Sequence, residues 1–147
     1  MAREIEGISI AETVMGRWAP SALVSIERLE FGASPEAGPS IKLVALFQTR
    51  NRYSWPEFDK PMHRITMLFD NVRGLRLDDF EGNGVQVMGF DIHSIGDRGW
   101  EDLNFEVEDY EDGRIHFFCG RVRIIEANEA AGFDLPPEIR TTSNMKD

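Results

Sequence analysis

Apolar and polar residues alternate at period two along most of the chain, in runs rich in β-branched and aromatic side chains bounded by Gly, Pro, Asn and Asp. That is the pattern of strands with one buried face. The first run is 22–31, where Glu27, Arg28 and Glu30 mark a half-exposed strand. A Gly/Pro/Ser-rich stretch, 32–40, reads as a loop. The run 41–48 is apolar on both faces after Lys42, as a central strand would be. A loop with two prolines, 49–61, precedes 63–72, in which Ile65, Met67 and Phe69 share a face.

Further on, 74–80 places Leu75 and Leu77 together, and the turn sequence "EGNG" follows at 81–84. In 85–95 the apolar parity switches from Val85 and Val87 to Met88, Phe90 and Ile92. Gly89 sits at the switch and suggests a bulge. The runs 102–110 and 114–126 flank "EDG", a hairpin turn. About seven strands with short connections predict a mainly β fold, either an antiparallel sandwich or a strongly bent sheet. At most one short N-terminal helix is expected, in "SIAETVMGRW", with Ser9 as N-cap and Glu12 as capping-box partner. One β-rich domain over 1–139 is expected, with Phe133 and Leu135 able to dock on it and 140–147 as a mobile tail.

Charge changes this picture in one place. The chain carries a net −10, and the sixteen residues 97–112, "DRGWEDLNFEVEDYED", hold eight acids and one Arg, or −7 of that total. In strand geometry Leu103, Phe105 and Val107 point to one side, and Asp102, Asn104, Glu106, Glu108 and Tyr110 to the other. A two-residue hairpin loop would set Val107 against Phe118 and Arg123 against Asp102. A three-residue loop would set His116 against Glu108. The sequence does not choose between them, and a one-residue slip exchanges the faces. In either register Glu106 and Glu108 find no Arg or Lys from this hairpin. Such a face would keep the sheet from aggregating, or it would steer a basic partner to dock through Trp100, Asp102, Glu106, Glu108 and Tyr110.

Other chemistry is sparse. There is no nucleophile elbow, phosphate-cradling loop or H-E-x-x-H motif, so no enzymatic activity is expected. The single cysteine, Cys119, allows no intramolecular disulfide and fits a reducing compartment. It reads as a small buried hydrophobe, with His116 on the opposite face. Asp91 and His93 point the same way and could supply two metal ligands, but no third can be placed, so no metal and no cofactor is expected. The acid pair at 78–79 would need a pocket to mean anything. The acidic balance disfavours nucleic acid and anionic membranes. No signal sequence or spanning segment is evident, which makes the cytoplasm the expected compartment. Arg52, Tyr53 and Trp55 form a second candidate surface, on which a sandwich module would bind a small ligand or carbohydrate, together with Trp100. The plainer reading has Tyr53, Trp55 and Phe58 fold this loop back onto the core.

The order of motifs resembles the predicted immunity proteins of bacterial polymorphic toxin systems, in particular the immunity protein 50 family. The resemblance lies in a "V-x-L-x-F-x-x-V" type strand (Ile65, Met67, Phe69, Val72) and an "L-x-L-x-x-F" step (Leu75, Leu77, Phe80). A strand from Asn83 to Ile92 follows, and then a closing strand with Phe117, Phe118, Cys119 and Gly120. It covers about residues 63–126, with weaker support from 18–31. The "W…FHD"-like segment common in that family is reduced here to Trp18 without the His-Asp. The resemblance implies a small cytoplasmic protein that occludes a cognate toxin in a heterodimer, with no turnover. An exposed edge strand would also allow homodimerisation.

Overall fold

The computed structural model describes residues 4–50, 55–57, 59–77, 85–86 (backbone only), 90–95, 103–109 and 115–130. Among them are one helix, α1 (Ile8–Met15), and nine strands: β1 (Leu23–Ser34), β2 (Gly38–Phe47), β3 (Met62–Asp70), β4 (Arg73–Leu77), β5 (Val85–Gln86), β6 (Phe90–Ser94), β7 (Phe105–Asp109), β8 (Ile115–Cys119) and β9 (Arg121–Ala130). They form a five-stranded sheet ordered β5-β1-β2-β3-β9 and a four-stranded sheet ordered β4-β8-β7-β6. Every pairing within the two sheets is antiparallel. The protein is mainly β, as the alternation predicts, and the sheets share one core in a sandwich-like arrangement. No helix among the described residues is long and apolar enough to cross a membrane.

The core follows from parity. Ile65, Met67 and Phe69 of β3 are fully buried, as are Val107, Ile115 and Cys119 of the other sheet. Phe69 and Phe117 meet edge to face at 5.1 Å between ring centroids, joining the two layers. β2 lies between β1 and β3, the central position its two-faced apolar pattern implies. A smaller cluster of Val24, Leu46, Met62 and Ala130 packs with Trp55.

Several expectations are corrected. The 32–40 loop is mostly strand: β1 and β2 run to a turn at 35–37, where the Ala37 amide donates to Ser34 Oγ. This end of the hairpin overhangs the core (Phe31 is 57% exposed), so little burial holds it and no periodic signal marks it. The run 85–95 is divided between the sheets, since β5 pairs with β1 and β6 with β7; Gly89, where a bulge is expected, lies outside the described residues. The run 114–126 likewise divides at Gly120, sending β8 to one sheet and β9 to the other. There the Gly120 amide donates to the Asp70 carbonyl at 2.9 Å. In β4 an irregularity between Arg73 and Arg76 leaves Leu75 at 37% exposure, while Leu77 packs on the core.

The capping box is also corrected. Helix α1 begins two residues earlier, with Gly7 at its N-cap and no side-chain cap; Ser9 lies inside it, its carbonyl accepting from Thr13 Oγ1. What fixes the start is β9. The Glu6 amide donates to the Val122 carbonyl (2.9 Å) and the Ile124 amide to the Glu6 carbonyl (2.7 Å), a parallel bridge along that strand's outer edge. The Glu6 carboxylate accepts twice from Arg121. Gly7 then turns the chain into α1 at φ 81°.

Candidate functional site

The outward face of β6-β7-β8 holds the charged cluster. Phe90, Phe105, Val107, Ile115 and Phe117 anchor the three strands inward, so the intervening residues must face out. Asp91 and His93 come from β6, Glu106 and Glu108 from β7, and His116 from β8. Glu108 stands between Asp91 and His116, and Glu106 between His93 and Phe118. This is the register of the three-residue hairpin loop; Val107 faces Phe117, not Phe118.

Neither acid lacks a partner, contrary to the expectation of bare carboxylates. His116 Nε2 lies 2.8 Å from Glu106 Oε2. His93 Nε2 lies 3.2 Å from Glu108 Oε1 and 3.7 Å from Asp91 Oδ2. The bonds are diagonal, each imidazole reaching the carboxylate one step along the neighbouring strand. Such cross-strand pairs are worth about 0.2–1 kcal/mol each. The His116 ring also stands edge-on to Phe118, at 5.1 Å. Glu106 and His116 are the more enclosed pair, with 18% and 27% of their side chains exposed; Glu108 and Asp91 stand further out. The acidic stretch is not wholly outward, because Asp109 turns in and is buried.

Arg123, expected opposite Asp102, belongs to the other sheet, where its guanidinium holds Asp70 Oδ2 at 3.0 Å. Trp100, Asp102 and Tyr110, with Arg52 and Tyr53 of the second candidate surface, lie outside the described residues, as do Phe58, the acids at 78–79 and the chain from 131. Trp55 is described. Its indole donates to the Gln48 carbonyl at 2.7 Å and packs on the smaller core cluster, with the Arg50 guanidinium 4.1 Å from the ring centroid.

Comparison with family models, with curated proteins and with solved structures gives no match.

A polar cleft of about 610 Å³ lies elsewhere, where β3 turns out of the sheet and β8 passes into β9. Asp70, Asn71, Asn104, Arg121 and Arg123 line it. Its arginines are already held by Glu6 and Asp70, which leaves the cleft little net charge. Asn104 bridges the sheets there, its Nδ2 donating to the Gly120 carbonyl at 2.9 Å.

The remaining titratable candidates lie apart from this face. His63 sits on β3, away from the other two histidines, and burial lowers its pKa against the opposing pull of Glu129. Cys119 is fully buried, and burial pushes its thiol up to about 12. The folded thiol therefore stays neutral where an unfolded one, with an ordinary value of 9.0, ionises. Stability from this group is complete below pH 9.0 and is lost as pH rises toward about 12. An aromatic disulfide reagent at about pH 8 should leave the native protein unmodified and react with the thiol once denaturant is added. Rapid labelling of the native protein would mean the thiol is reachable.

Proposed function

We propose that this protein neutralises a cognate toxin domain by binding and occluding it, without turnover, through the outward face of β6-β7-β8. The observation that carries the reading is the placement of Asp91, Glu106 and Glu108 as three carboxylates on one ordered face of adjacent strands. His93 pairs with Glu108 and His116 with Glu106. An acidic face carried on paired strands speeds encounter with a basic partner. The chain's net −10 adds a long-range field of the same sign.

The sequence resemblance to toxin-neutralising proteins supplies the class of partner: a basic toxin domain encoded beside this gene. Mixing the two purified proteins should give a one-to-one complex in which the toxin is inactive. Glu106→Lys combined with Glu108→Lys should slow its formation. A toxin that remains fully active in the presence of excess protein would end this reading.

A further inference from the structure

We propose that the same face carries a binding site for one divalent transition-metal ion of the zinc class. Its ligands are His116 Nε2 and the Glu106 and Glu108 carboxylates, and His93 stands against Glu108. The site is independent of the toxin-binding reading and would stand if that reading failed.

Three donor atoms, one each from Glu106, Glu108 and His116, already lie within 4.8 Å of one another. Ligands at about 2.1 Å in a tetrahedral zinc site are about 3.4 Å apart, so small side-chain rotations bring all three to bonding distance. The 2.8 Å contact between His116 and Glu106 would open by about 0.6 Å for an ion to sit between them.

The donor set distinguishes this cluster from an ordinary acidic patch. An imidazole with two carboxylates suits Zn²⁺, Co²⁺ or Ni²⁺, whereas Ca²⁺ takes six to eight oxygens. The ligands come from paired strands, whose spacing the backbone ladder fixes. Glu106 and His116 are mostly enclosed, so the ion would sit partly out of water, where its attraction for carboxylates is stronger.

The surroundings supply the outer support that metal sites use. His93 Nε2 is 3.2 Å from Glu108 Oε1, so it can orient that carboxylate or swing in as the fourth ligand. Asp91, opposite Glu108, lies 3.7 Å from the same His93 Nε2 and adds a third carboxylate beside the cluster. The Asp91–His93 pair is the part of the site the sequence exposes. The strand that completes it is β7, with β8 beyond.

The test is titration of the metal-free full-length protein with Co²⁺ and with Zn²⁺ alone. The visible Co²⁺ absorption should intensify as protein ligands replace water, saturate at one ion per chain, and be displaced by Zn²⁺. His116→Gln and, separately, Glu108→Gln should each weaken binding by about 10-fold or more. His63→Gln, on the other sheet, should leave it unchanged. Far-UV circular dichroism checks that each variant is folded. Absence of saturable binding, or binding that His116→Gln and Glu108→Gln leave intact, would overturn the proposal. So would binding that His63→Gln removes.

Discussion

Phe117→Ala is expected to destabilise the protein by about 3–5 kcal/mol, read as a lowered urea midpoint at unchanged slope. The ring is 1% exposed, lies on the inner face of β8 and meets Phe69 of β3 across the sandwich. Removing it deletes the transfer energy of a phenyl group and opens a void between two sheets, each held flat by its own backbone ladder. Neither sheet can close the gap without breaking register with its neighbours, so the void persists and its full effect is felt. Phe31→Ala is the control. That ring is 57% exposed on the overhanging hairpin, and its loss should change stability by less than about 0.5 kcal/mol. Equal effects from the two variants would mean that the layers are not joined through Phe117.

Gly7→Ala is the second large effect, expected at about 2–4 kcal/mol. Two causes add. The residue sits at φ 81°, where a side chain is strained, and a β-carbon there would overlap the Ile124 carbonyl oxygen of β9. The chain can relieve the overlap only by lifting away from β9, which breaks the two backbone bonds of Glu6 and frees the strand edge. Gly16→Ala shows a backbone cost without the overlap. Gly16 has φ 83° and ψ −97°, outside the left-handed helical region that Gly7 occupies, and open space where its β-carbon would stand. It should lose about 1–3 kcal/mol from the backbone alone. If Gly7→Ala leaves the urea midpoint unchanged, the close approach to β9 is not what holds α1 in place.

How much of this was legible in the sequence depends on which interaction sets each feature. Parity identifies the inward residues of β3 and β7, because period-two alternation and burial are one fact seen twice. It also contains a signal easily misread. Around Gly89 the apolar parity switches, and it switches again at Gly120, from Ile115, Phe117 and Cys119 to Val122 and Ile124. A bulge within one strand and a passage between two sheets produce the same switch. In this protein both runs are divided between the two sheets.

The partners of Glu106 and Glu108 were hidden for a different reason. The pairing depends on hairpin register, and a one-residue slip would turn the other face of β8 toward the acids. With His116 opposite Glu108, the imidazole arrives beside the acids. His93 arrives from β6, whose place beside β7 no local pattern encodes. Gly7 as helix start was hidden because the determinant is the backbone of Ile124, more than a hundred residues away. Local capping rules gave Ser9 and Glu12, and the long-range bridge to β9 prevailed.

The proposal that the outward face of β6-β7-β8 receives a basic toxin domain is tested most directly by the association rate of the purified protein with that toxin domain, measured by stopped flow across a range of ionic strength. The unmodified protein should associate fast at low salt and slow steeply as salt rises. The double variant Glu106→Lys, Glu108→Lys should associate about 10-fold or more slowly at low salt, with a much flatter salt dependence. Equal rates and equal salt slopes for the two proteins would contradict the claim and remove this face as the contact surface.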